Sequence, residues 1–170
     1  MSLGATTDRI ELIDGSLVVS PAPNSPHQEI SYLLTAALRP TARAHGFRAQ
    51  QAVNLRLAPH RILIPDVTVS TAPRLSTYVE AADAVLVAEV TSPGNAAVDR
   101  TTKLTMYAAA GIPWYLLAEP DMTDYRSLTL HLLHLQGDTY VPRTTATDDE
   151  LLRAETPFPM ALTPTTLLDF

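Results

Sequence analysis

Apolar and polar positions alternate at the start of the chain. Residues 9–13 (RIELI) and 16–20 (SLVVS) flank Asp14-Gly15, the preferred pair for a tight type I′ turn, and so predict a hairpin. PAPNSP (21–26) predicts a loop, with Ser25 as N-cap and Pro26 as the first residue of a helix. Ile30, Leu33, Leu34, Ala37 and Leu38 then recur at the i, i+3, i+4 spacing of a helix buried on one face. Pro40 is expected to kink or end it, with His45-Gly46 as a stop. Residues 47–57 alternate as a half-buried strand. Residues 61–70 predict another, with Pro65 marking an edge or irregular point.

Residues 71–83 predict a loop with a helical turn. AVLVAEV (84–90) is an apolar run of strand length, which places it centrally in a sheet. TSPGN (91–95) predicts a loop. A helix over 97–110 follows, closed by Gly111. Residues 112–120, 127–135 and 139–145 predict strands, the last two joined through Gln136-Gly137-Asp138. The Pro- and Thr-rich tail, 156–170, is expected to pack loosely. The order ββ–α–ββ–β–α–β–ββ predicts an α+β fold: one mixed β-sheet flanked by two main helices, with an N-terminal β-hairpin. No repeat, linker or low-complexity block interrupts it, so a single domain over 1–170 is expected.

Composition narrows the classes. Hydrophobic residues make up 46% of the 170 and charged residues 18%, enough apolar material for a real core. The absence of Cys excludes disulfides, thiolate zinc sites and a cysteine nucleophile. The N-terminus has no basic region followed by an apolar run, and no stretch nears the ~20 apolar residues of a membrane span. A soluble cytoplasmic protein, with no membrane partner, is therefore expected. The net charge of −6 argues against holding nucleic acid mainly by charge, but an acidic site neutralised by metal ions remains compatible with it. Of the 12 basic residues eleven are Arg, and the single Lys is Lys103.

Three acids stand out. Glu11, Asp66 and Glu89 lie in or at the ends of predicted strands, and Glu89 interrupts an otherwise apolar run. A buried carboxylate is costly unless paired or bound to a metal. Carboxylates at neighbouring strand ends can converge on one hard cation such as Mg²⁺. The ordinary alternative is an Arg partner or solvent for each. Asp99, Lys103 and Tyr107, at i, i+4 and i+8, share one face of the second helix, where the ordinary alternative is a surface ion pair. His27 suits a phosphate contact or proton transfer, or equally a cap. His131 and His134 are three apart on a strand and point to opposite faces, so they form no metal pair. No G-x-S-x-G, P-loop or G-x-G-x-x-G occurs.

Taken in order, ELIDGSLVV, SPHQEI, PDVTV, AEVTSP and DRTTKLTMYAAAGIP resemble the Uma-two type of restriction-endonuclease-like proteins, of the PD-(D/E)XK nuclease superfamily, over residues 9–135. The resemblance assigns Pro65-Asp66 to the PD element and Glu89 to the (D/E) element. Thr91 occupies the place two after Glu89, and Lys103 takes the helical position where this family carries its lysine. Glu11 and His27 match family positions. Where the family has a Glu-Tyr-Trp stretch after the helix stop, this chain has Trp114, Tyr115 and Leu116.

The resemblance implies a metal-dependent endonuclease hydrolysing DNA phosphodiester bonds. Asp66 and Glu89, with Glu11 as a further ligand, would hold Mg²⁺ or Mn²⁺. Lys103 would orient the attacking water or stabilise charge on the phosphate, a task that suits a compact ammonium better than a guanidinium fork. His27 and Tyr107 would bind substrate. A homodimer is expected, one site per DNA strand. The alternatives are an inactive nuclease-fold binding or dimerisation module, suggested by the acidic charge, and a hydrolase of smaller phosphoesters.

Overall fold

The computed structural model describes residues 9–20, 22–92 and 96–170, with backbone alone over 96–100. The hairpin forms as the pattern predicts. Strands β1 (Arg9–Ile13) and β2 (Ser16–Ser20) pair antiparallel, and Asp14 (φ 50°) and Gly15 (φ 85°) both take the left-handed conformation that a type I′ turn demands.

Helix α1 spans Ser25–Ala44, one residue out of step with the expected cap. Asn24 is the N-cap, and its side chain accepts the His27 N–H at 3.1 Å. The helix runs through Pro40. Ala36, whose carbonyl loses its usual donor there, lies on the exposed face, where water can replace the bond. The buried stripe is Ile30, Ser31, Leu34, Thr35, Leu38 and Ala42, while Ala37, expected inside, is exposed. The end is a Schellman motif: the Phe47 N–H bonds Ala42 O at 2.8 Å and the Gly46 N–H bonds Arg43 O at 3.1 Å, with Gly46 at φ 82°.

Each long strand expected at 47–57 and 61–70 is in fact two strands in two sheets. The first divides into β3 (Arg48–Gln51) and β4 (Leu55–Ala58), the second into β5 (Arg61–Leu63) and β6 (Val67–Ser70). Ala52 at φ 48° breaks the first. Pro65, which has no N–H to give a ladder, lies in the break of the second. The chain thus leaves the larger sheet after β3, makes the β4–β5 pair in a smaller sheet, and returns at β6. The two crossings are bonded to each other, Ala52 N–H to Asp66 O at 3.2 Å.

The larger sheet has the order β11-β10-β9-β8-β6-β3, completed by β8 (Ala84–Val90), β9 (Trp114–Pro120), β10 (Leu128–Gln136) and β11 (Thr139–Thr147). β8 and β9 are its parallel pair, and α2 (Ala96–Ala109) provides the crossover between them. The smaller sheet runs β2-β1-β5-β4-β7, with β7 at Val79–Glu80 inside the segment expected to be loop. The single sheet of the expectation is therefore a larger mixed sheet plus smaller ones, within the α+β class. α1 covers one face of the larger sheet through Leu34, Val67, Leu86, Ala88 and Leu116; Tyr107 on α2 meets Val87, Tyr115 and the small-sheet residues Leu55 and Leu63 on the other.

The tail is not loose. β12 (Leu152–Ala154) and β13 (Met160–Leu162) pair, and Phe158, Met160, Leu162 and Leu167 are buried in the α1-side core. Phe158-x-Met160-x-Leu162 is the period-two signature of a strand, set among Pro and Thr that suggest a loop. Phe158 stacks on Phe47 at 5.8 Å between ring centroids. Phe158→Ala should therefore cost about 3–5 kcal/mol by chemical denaturation; a loss under about 1 kcal/mol would mean the tail is not part of the core.

Candidate active site

Asp66 sits at the corner where the chain passes from the small sheet to the large one. Only 4% exposed, it receives donors from three directions. Oδ1 accepts Arg9 Nη1 at 3.0 Å, from β1. Oδ2 accepts the Val90 N–H at 2.8 Å, from the end of β8, and lies 3.1 Å from His27 Nε2, in the first turn of α1. Burial alone would raise this carboxyl. The hydrogen bond and charge of His27, then Arg9 and the Val90 N–H, outweigh it and hold Asp66 well below the usual carboxylate range. His27 Nε2 also lies 3.1 Å from Val90 O, so it faces two acceptors and must carry a proton; its buried Nδ1 has no hydrogen-bond partner.

A second group assembles on the α2 side. Leu86, Ala88 and Val90 of β8 point toward α1, and Glu89, one step out of phase, points toward α2. Lys103 and Tyr107, one turn apart on α2, both reach it. The Tyr107 hydroxyl donates to Glu89 Oε1 at 2.6 Å, and Lys103 Nζ lies 3.8 Å from the same oxygen. Lys103 Nζ also donates to Glu11 Oε1 at 3.1 Å, an oxygen that takes the Ile64 N–H at 2.8 Å as well. Burial raises the Glu89 carboxyl, Lys103 draws it back in part, and Asp66 adds to the rise, leaving it at about 7. Tyr107 is raised further still, by burial and by the Glu89 charge.

Glu11, Asp66, Glu89, Lys103 and His27 therefore meet in one region. The ordinary alternative of an Arg partner holds for Asp66, while Glu11 and Glu89 take Lys103. Lys103 is no surface ion pair, being 6% exposed. Tyr107, expected to bind substrate, has a fully buried ring, and its hydroxyl donates to Glu89. The Asp99 side chain and Pro93 lie outside the described residues. Thr91, at the strand position where a PD-(D/E)XK lysine commonly stands, gives its N–H to Ala118 O at 2.9 Å. Trp114 stacks on His134 and Leu116 is core, so no carboxylate replaces the missing Glu there. His131 pairs with Glu119 at 2.9 Å, apart from His134.

Arg9 is the participant that sequence reasoning missed. Its second guanidinium nitrogen also bonds Ile64 O, so it ties Asp66 to the corner itself. Burial opposes its charge, but Asp66, Glu89 and Glu11 outweigh that and raise its pKa. The signal was present: Arg9 is two residues before Glu11 and so shares its face of β1. As they stand, the carboxylates turn to these basic partners, and no three acidic or histidine groups among the described residues surround a common point. The donor set nonetheless fits a hard cation. Three carboxylates share the region with Arg9 and Lys103, and Glu89, raised chiefly by burial, is the one that gains most from a further positive charge.

A family model described as "Uma2: Putative restriction endonuclease" matches residues 3–168. A crystal structure described as a "putative nuclease belonging to DUF820 from Anabaena variabilis ATCC 29413" has a similar fold, with a TM-score of 0.68 at 19% identity, covering 98% of this chain and 93% of that one. No curated protein matches the chain. The chain belongs to the Uma2 family, as its motifs led us to expect, and its α+β fold is nuclease-like.

Asp66 titrates below its unfolded value near 3.9, so its stabilising effect is present at higher pH and is lost as pH falls below about 5. Asp66→Asn should cost about 3 kcal/mol at pH 7, by leaving Arg9 and His27 without a charged partner, yet flatten the loss of stability on acidification. Parallel pH–stability curves for the two proteins would contradict this account.

Proposed function

We propose that this member of the Uma2 family is a Mg²⁺- or Mn²⁺-dependent endonuclease that hydrolyses DNA phosphodiester bonds, with Glu11, Asp66 and Glu89 as metal ligands and Lys103 beside them. The observation that carries the reading is that Glu11 of β1 and Glu89 of β8 share one buried lysine, while Asp66 of the 64–66 corner joins them through Arg9, which interacts with all three carboxylates. A bound divalent cation supplies polarisation of a phosphoryl oxygen and a lowered pKa for its water. The chain's own groups do the positioning. Tyr107 fixes Glu89, and His27 with the Val90 N–H fixes Asp66. Lys103 keeps a compact positive charge between Glu11 and Glu89, where it can orient water or meet charge developing on the phosphate. The family's description favours a nuclease over a hydrolase of smaller phosphoesters or an inactive module.

We place the protein in the cytoplasm as a homodimer, one site per strand. No described helix is long and apolar enough to cross a membrane. Among the described residues β2 ends the small sheet, carries no charge, and leaves Leu17 55% and Val19 62% exposed, an edge a second copy can pair with.

Purified protein should nick and linearise plasmid DNA with Mg²⁺ or Mn²⁺. Asp66→Ala and Lys103→Ala should each lower the rate by about 100-fold or more. Lys103→Arg should also fail despite keeping the charge. Cleavage that survives both alanine substitutions would sink the assignment, and turnover of model nucleotides without DNA cleavage would redirect it to small phosphoesters. Because Glu89 must shed a proton to bind a cation, Mn²⁺ affinity by calorimetry should fall about tenfold per pH unit below about 7, and Glu89→Gln should abolish it. A pH-independent affinity would exclude Glu89 as a ligand. In sedimentation, wild type should run as a dimer and Leu17→Lys/Val19→Lys as a monomer; a monomeric wild type would refute the β2 interface.

A further inference from the structure

A cleft of about 640 Å³ opens beside the carboxylates, lined among others by Arg9, His27, Gln28, Tyr32, Gln51 and Asp66. It is polar where Asp66 meets it, and Tyr32, 59% exposed, stands on its wall.

The two oxygens of Asp66 are held unequally. Oδ2 is bound by a backbone N–H within the sheet and by the ring of His27, whose side chain is 7% exposed in α1. Neither donor can withdraw without repacking an element. Among the described residues Oδ1 is bound by Arg9 alone, whose side chain is 18% exposed, rides on a long stem from β1, and lines the cleft. Oδ1 is therefore the Asp66 oxygen that can be freed by side-chain rotation, and Arg9, which gives up its bond to Ile64 O in the same movement, is the group that must rotate. A guanidinium turned off this carboxylate retains its charge and its fork of donors, a geometry that matches a phosphate.

We propose that Arg9 is an exchangeable counter-ion: it occupies Asp66 Oδ1 in the metal-free protein, yields that oxygen to a divalent cation, and turns into the cleft to grip the phosphodiester of a bound nucleotide. The inference rests on the metal site proposed above and adds to it a nucleotide-phosphate site and a coupling between the two ligands. Cation and Arg9 compete for one oxygen, so metal alone binds against the cost of stripping the ion pair. A phosphate in the cleft gives the displaced guanidinium a new partner and removes that cost. Each ligand then strengthens the other by the same factor. With neither present, the Arg9–Asp66 pair keeps the site closed on itself.

Calorimetric titration of Mn²⁺ into the full chain, with and without the dinucleotide thymidylyl-thymidine, tests this. Wild type should bind Mn²⁺ about tenfold more tightly with the dinucleotide present. Arg9→Gln should bind Mn²⁺ alone about tenfold more tightly than wild type, and the dinucleotide should no longer improve it. Direct pairing of Mn²⁺ with the dinucleotide is common to both proteins and cancels in the comparison. If wild type binds Mn²⁺ equally with and without the dinucleotide, the coupling is absent and the proposal fails while the metal site stands; this arm needs no variant to fold. If Arg9→Gln binds Mn²⁺ as wild type does, or keeps the coupling, Arg9 is not the counter-ion. If neither protein binds Mn²⁺, the metal site itself is wrong.

Discussion

Burying three carboxylates at one place is the constraint around which the structure is arranged. A charge removed from water must be compensated locally, and here the compensating groups come from several elements. Arg9 arrives on β1, His27 in the first turn of α1, Lys103 and Tyr107 along one face of α2, and backbone N–H groups from Ile64 and Val90. None of these elements can be removed without stranding a charge. The two cores on either side of the large sheet supply most of the apolar burial, and the small sheet is joined to that frame both by Leu55 and Leu63 in the core and by the ion pairs of Arg9 and Glu11.

Features set by near neighbours were legible in the sequence. The Asp14-Gly15 turn, the apolar run of β8, the Gly46 stop and the spacing of Lys103 and Tyr107 each depend on contacts within a few residues. What escaped reading depends on distant partners. Residues 47–57 and 61–70 look like two strands because alternation says nothing about which sheet a strand joins. Pro65 flagged the irregularity, but the change of sheets is a tertiary event. Phe158, Met160 and Leu162 were hidden by their Pro and Thr neighbours. Arg9 stayed unread because its one mark, sharing the face of Glu11 on β1, gains meaning only from Asp66, its partner 57 residues away.

The uneven use of basic residues now has a physical setting. Lys103 is buried between two glutamates, with room for a single-point donor close to both. Most of the arginines in described ion pairs occupy more open positions: Arg56 with Glu80, Arg61 with Asp14, Arg126 with Asp124. There a broad planar fork loses little to desolvation and gains in hydrogen bonds. Arg9 lies between these extremes, buried enough to anchor the corner and exposed enough to move.

The double crossing at 52–54 and 64–66 also bears on how the protein can change over generations. Members of the charge cluster lie on both sides of that seam, Glu11 and Arg9 on the small sheet and Glu89 on the large one. Either sheet can accept volume-neutral substitutions within its own packing. A substitution that shifts one sheet against the other alters the spacing between these charges together with the packing of Leu55 and Leu63 against Tyr107. The short residues there, Ala52 and Pro65 with Asp66 beside them, therefore carry constraints from both halves of the molecule at once.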